Sequence, residues 1–455
     1  SYFGGTYFGG ILLMERFYHF KYGDGFLDLP LQEGNVIQVL EAREIETIDD
    51  VPSEVNHVLD HPVDSKPFDE LFERGDKVTI VVSDITRQVL LSEYLPTLVD
   101  RLNRLGIPDG DILVLIATGT HRAQTVAEKE KILGPELFRR LAVVDHDCDR
   151  SEMVYAGTTP RGTRVDVNRL AVERKVILTG AIVHHLMAGF GGGRKSIVPG
   201  VSSRRTIAEN HLHALDPEAE RSNPLIGVGA LAGNPLHEDM VDCARLVKPA
   251  FLINSIVHTN GKLARLVAGD WLSAWEEGCR WADEKYGVPI ERKADLVVAS
   301  CGGYPKDISL YQGTKTLFNA SLAVKEGGTV LMLAECREGA GADEFFGWSG
   351  PLKAGRLDPE LRKNFTIPGY IFYAAVEAAR KARVVLLSAI DPESVKPMGI
   401  LGVNNLEDAL ESAGIGRKQE TIVMPYGGAT IPLFQSGEVS GSTTPCLKAP
   451  KGKGL

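Results

Sequence analysis

"KVILTGAIVHHLMAGFGGGRKS", residues 175–196, joins the two patterns from which the fold is read. Its first nine residues are mostly aliphatic and carry no charge after Lys175, as in a strand buried on both faces. Two histidines follow, then a glycine-rich turn, then Arg194-Lys195-Ser196. A buried strand that gives way to glycine and then to polar side chains is how strands end in a helix-covered parallel sheet.

Runs of the same kind recur along the chain: "KVTIVVS", "DILVLIA", "AFLINSIV", "DLVVAS", "GTVLMLA", "RVVLLSA" and "TIVMPY". Amphipathic segments lie between several of them, at Leu90–Leu105, Thr125–Leu141 and Lys315–Lys325. This alternation predicts an α/β protein with mainly parallel sheets flanked by helices. At 455 residues the chain exceeds one ordinary core, so two domains are expected. A charged helical stretch, Trp271–Tyr286, leads into the junction near 284–293. The predicted division is an N-terminal domain over 14–285 and a C-terminal domain over 290–426. Residues 1–13 and 436–455 are expected to be flexible ends, the first reading as a scar or frayed arm ahead of Met14.

Composition excludes several classes. The formal charge of -10 argues against a nucleic-acid surface. No window is long and apolar enough to span a bilayer, and the opening "SYFGGTYFGGILL" lacks the basic start of a signal peptide. Six widely spaced cysteines suit reduced thiols, hence a cytoplasmic protein, and form no zinc cluster.

The unusual residues gather at strand ends: "SDITRQ" (83–88), "ATGTHR" (117–122), "HHLMAGFGGGRK" (184–195) and "CGGYPKDISLYQGTK" (301–315). Four such clusters at equivalent sheet ends would face one cleft between the domains. The glycine turn is not a Walker A loop, because Arg194 stands where glycine should precede Lys-Ser. Its free amides and Arg194 still favour an anion such as a phosphate, with a plain strand-to-helix turn as the rival reading. Lys195 is then a charge partner or, if desolvated, a nucleophile. His121 and His185 follow neighbouring strands and suit acid and base on opposite sides of one substrate, against the ordinary reading of buried structural histidines. His19, His57, His61 and His146 keep that ordinary reading. His211 and His213 lie two apart on a helical stretch, so they are no i,i+4 metal pair. Arg87, Lys306 and Lys315 converging on the cleft would favour an anionic substrate, and Gln312 shares a helix face with Lys315.

Taken together, "SDITR", "ATGTHR", "HHLMAGFGGGRKS", "AENH" and "GGYPKD...YQGTK" resemble the lactate racemase family, from about Lys77 to Tyr426 and in the same order. The resemblance implies a two-domain α/β enzyme with a nickel-pincer nucleotide, Ni(II)-pyridinium-3,5-bisthiocarboxylic acid mononucleotide, in the interdomain cleft. It implies that Lys195 binds this cofactor through a thioamide and that His211 is the one protein ligand of the nickel. His121 and His185 match the catalytic acid/bases, with His185 rather than His184 at the right offset from Lys195. Asp84, Ile85, Thr86 and Arg87 fall at the cofactor, Arg87 also at the substrate, and Tyr311, Gln312 and Lys315 on the substrate side of the second domain. Partners would be a small 2-hydroxy acid and cofactor-maturation proteins. The chain departs from the family at Ile85 and Gln88, where the lactate enzyme has histidine and proline, and at Gly191, where it has serine. Trp348 or Phe372-Tyr373 would wall the substrate pocket. The implied activity is racemisation of 2-hydroxy acids; a nucleotide-dependent phosphotransferase and a non-catalytic nickel-cofactor carrier are the alternatives.

Overall fold

The computed structural model describes residues 3–8, 11–41, 43–342 and 344–434. Each of the eight apolar runs forms a strand in one of two six-stranded sheets. The first sheet has the order Leu263–Gly269, Phe251–Val257, Lys175–Ala181, Val78–Ser83, Ile112–Ala117, Ala142–Asp145, parallel except for the antiparallel edge pair 251–257 and 263–269. The second is all parallel: Ile400–Val403, Arg383–Leu387, Val324–Leu333, Ala294–Ser300, Thr421–Met424, Val36–Val39. Central strands are buried throughout, as in "VTIVVS" and "ADLVVAS", because helices cover both faces.

Three local expectations need correction. The stretch 125–141 is two helices, Val126–Leu133 and Pro135–Arg140, broken where Gly134 takes φ +80 ahead of Pro135. The helix expected from Lys315 to Lys325 runs from Leu310 to Ala323, opened by the Ser309 cap, and Lys325 already belongs to the next strand. Residues 3–8, expected within a flexible end, form a strand antiparallel to Ile11–Tyr22. The other expected flexible end, 436–455, lies outside the described residues.

Val36–Val39 precedes every strand of the first sheet yet completes the second. The chain therefore passes between the sheets at both ends of the first. Leu40 N–H donates to Val423 O of the second sheet at 2.8 Å, and Ile48 N–H donates to Leu263 O of the first at 2.8 Å. The return runs through Gly287–Ile290, which pairs with Ile431–Phe434. The passages lie side by side: Gln38 donates to Pro289 O at 2.9 Å and Arg43 to Glu284 O at 3.3 Å. Elsewhere the loop after helix Arg204–His211 is gripped by the second unit. Arg362 donates to Asp216 O and Ala219 O, both at 2.8 Å, while Glu377 accepts from Ser222 N–H and its hydroxyl. No helix among the described residues is long and apolar enough to cross a membrane.

Candidate active site

Asp84 is the first residue beyond strand Val78–Ser83 and is almost fully buried. One carboxylate oxygen accepts from His121 Nδ1–H at 2.5 Å, the other from the Thr86 hydroxyl at 2.6 Å. Burial alone would raise this carboxyl, but the bonds from His121 and Thr86, with the charges of His121 and Arg87, hold it below its usual range. His121 reaches Asp84 because Gly119 (φ +57) turns the chain after the neighbouring strand and ties it to Gly200 O. With Nδ1–H committed to the carboxylate, Nε2 of His121 is left as an open acceptor.

His185 stands in the opposite electrostatic setting. Its Nδ1 accepts from the N–H groups of Met187 and Ala188, each at 3.2 Å, so the neutral ring carries its proton on Nε2. Loss of hydration, then the charges of Lys195, Arg87 and Arg194, keep the ring well below the ordinary histidine range. His184 points away, as alternate strand residues must. Its Nε2 meets Asp283 at 2.7 Å and its ring packs on Phe190.

The glycine turn does not do what its sequence suggests. Arg194 is 0% exposed and aims into the core, so it is unavailable to a phosphate in the cleft. Lys195, next to it, has no hydrogen-bonded acceptor among the described residues. Loss of hydration and the charges of Arg87 and Arg194 hold its ammonium well below the lysine range.

His211 ends helix Arg204–His211, whose Ser203 cap fixes its start. The buried ring donates Nδ1–H to Ile207 O at 2.9 Å, leaving the Nε2 lone pair free. Desolvation and then Lys195 lower it to about 4. His213 turns instead toward Asp239 at 3.7 Å.

In the second unit, Tyr311, Gln312 and Lys315 occupy the first turns of Leu310–Ala323, and Lys315 donates to Gln312 at 3.1 Å. Desolvation and the Arg87 charge lower Lys315, and the same charge acts on Tyr311. Arg87 thus acts on groups of both units. Lys306 lies 5.9 Å from the Tyr426 ring centroid. Trp348 packs on Gly369, Phe372 on Phe345, and Tyr373 bonds Asp358 at 2.8 Å. The aromatic ring against His211 is Phe365, centroids 5.9 Å apart, which sequence reasoning missed. So were Trp275 and His237 behind Arg194, and Asp283 behind His184. None carries a local sequence signal, because each meets its partner only through the fold.

The fold and these groups define a class: an α/β protein of two parallel sheets whose strand-end clusters combine a carboxylate-backed histidine, a second histidine among cations, an unpaired lysine and one imidazole with a free nitrogen. The lactate racemase N-terminal domain matches residues 22–222, and the lactate racemase C-terminal domain matches 290–431. The chain is 36% identical over 389 residues to a lactate racemase of Lactiplantibacillus plantarum, covering 83% of this chain and 90% of that one. It is 35% identical over 296 residues to one of Thermoanaerobacterium thermosaccharolyticum, covering 65% and 68%. The structure of the lactate racemase apoprotein from Thermoanaerobacterium thermosaccharolyticum superposes with a TM-score of 0.81 at 29% identity, over 92% of this chain and all of that one. The protein belongs to the lactate racemase family.

Proposed function

We propose that the protein is a racemase or epimerase of small 2-hydroxy acids, working with a covalently held nickel-pincer nucleotide. The observation that carries this reading is the pair of unlike histidines, His121 on Asp84 and His185 among cations, with the Arg87 charge acting on both Asp84 and His185.

The residues fit that cofactor. His211 donates Nδ1–H to a backbone carbonyl and keeps Nε2 free, the outer-sphere bond usual for a metal-bound imidazole. Burial and the neighbouring Arg87 and Arg194 charges make the Lys195 ammonium easier to deprotonate, and the free amine is the form in which lysine makes covalent bonds. All five described cysteines are free and buried, so the sulfur ligands would be the cofactor's own. One imidazole with soft sulfur donors suits Ni(II). Asp84, Ile85, Thr86 and Arg87 would line it.

When bound, the cofactor supplies a reversible hydride acceptor beside the substrate carbon. The protein's own groups then bind the acid and move protons. Arg87 and Lys315 take the substrate carboxylate, with Tyr311 and Gln312 closing the second-unit side. His121 removes the hydroxyl proton on one face through Nε2, and Asp84 stabilises the imidazolium that forms. His185 serves the other face. With Nδ1 held by the Met187 and Ala188 amides, the group it can offer is Nε2–H, which would donate to the substrate oxygen. In the opposite sense His185 would take the hydroxyl proton at Nε2, which requires its own ring proton to move to Nδ1 and the Met187 and Ala188 bonds to open.

A chirality assay over lactate, malate, longer aliphatic acids and sugar acids tests the reading, using protein co-expressed with maturation proteins. Inversion of at least one acid is expected. A protein that holds the nickel adduct yet inverts none would be a carrier, and the proposal would fall.

A further inference from the structure

One buried charge has no part in the proposed reaction. Arg194 is fully buried and has no carboxylate partner among the described residues. Burying a cation without an anion is costly, and loss of hydration brings this guanidinium down to about 9. An apolar side chain would fill the same space at lower cost. What an apolar side chain cannot do is bind the loop. Nη2–H donates to Ala188 O at 2.5 Å, Nη1–H to Phe190 O at 2.8 Å, and Nε–H to His237 Nδ1 at 3.1 Å. The guanidinium lies 3.9 Å from the Trp275 ring centroid, and Trp275 Nε1–H donates to Gly191 O at 2.8 Å. Gly193 must be glycine there, since a Cβ would sit 2.6 Å from the Trp275 ring and φ is +53. The segment 188–193 is thereby fastened from behind at the carbonyls of Ala188, Phe190 and Gly191, in addition to the pairing of its strand Ala188–Phe190 with His184–His185 and Gly227–Val228. Its two ends carry the reactive groups. Ala188, held by its carbonyl to Arg194, donates its N–H to His185 Nδ1, and Lys195 follows Arg194 directly.

We propose that Arg194 is a positioning residue, whose buried fork holds loop 188–193 so that His185 and Lys195 enter the cleft in a fixed orientation. The inference rests on the proposed roles of those two residues but is tested without them. Lysine retains the charge and loses the fork, so Arg194→Lys separates geometry from electrostatics.

The experiment uses full-length, cofactor-free protein with ¹⁵N-labelled histidine. In wild type the His185 ring should show a proton-free, hydrogen-bonded Nδ1. In Arg194→Lys that signal should average between tautomers, and amide exchange over 186–193 should rise about tenfold or more, with the first-sheet strands unchanged. Wild-type His185 signal and exchange in a folded Arg194→Lys would overturn the proposal. If Arg194→Lys does not fold, His237→Leu removes one of the Arg194 bonds and leaves Arg194 in place. It should show the same changes at smaller size, and their absence would equally overturn the proposal. Neither readout needs nickel or turnover, so failure of the racemase reading would leave this result standing.

Discussion

At the scale of single residues, the direction of each ring nitrogen decides what a histidine can do. His211 keeps Nε2 free while His213 turns to Asp239, so His211→Ala should lose the nickel of loaded protein and His213→Ala should keep most of it, read by metal analysis. Equal nickel in both variants would refute the assignment. Asp84→Asn preserves the shape but removes the charge that steadies protonated His121, so the inversion rate should fall about 10²–10⁴-fold with binding of the acid little changed. A loss confined to KM would mean that Asp84 only binds substrate. The sequence singled these residues out through motif order, with His121 and His185 beyond apolar strands and His211 within a helical stretch. It misjudged Arg194, since an arginine in a glycine turn looks like an anion binder unless its burial is known.

At the scale of elements, the glycine turn and the helix behind it behave as one piece. Gly193→Ala would place a methyl against Trp275 in left-handed backbone, and should destabilise cofactor-free protein by about 2–4 kcal/mol, measured by urea unfolding. A stability equal to wild type would mean the turn has another shape. His237, the acceptor for Arg194, is pushed by desolvation and then by that charge to about 3. Folded His237 stays neutral while the unfolded chain takes up its proton below pH 6.5, so its contribution is complete above that pH. Stability is then lost as pH falls from 6.5 toward 3, at up to about 1.4 kcal/mol per unit. His237→Gln should flatten the decline between pH 6.5 and 4.5, and an unchanged slope would count against a neutral His237. Strand positions were legible because central strands in a covered sheet are apolar throughout. Helix limits were not, since Gly134 and Ser309 act through backbone angle and capping rather than through hydrophobic period.

At the scale of the whole molecule, the grip of Arg362 and Glu377 on the loop 216–222 ties the second unit to the segment that follows His211. Arg362→Ala should raise proteolysis and amide exchange in that loop, while the melting temperature moves by only a few degrees, as for a surface-proximal contact. Loop exchange equal to wild type would show that the contact is not needed to order it. The sequence divided the chain by order and so missed that Val36–Val39 belongs to the later sheet; an apolar run of four residues does not say which sheet it will join. That strand has a mechanical consequence. A unit tethered by one segment can swivel like a ball in a socket. This one is carried on two adjacent straps, Leu40 to Ile48 and Tyr286 to Ala294, cross-bonded through Gln38 and Arg43. Twin straps resist twist better than a single tether, and with the grip of Arg362 and Glu377 on 216–222 they give the second unit three points of attachment, which fixes where Lys315 and Tyr311 stand relative to Arg87.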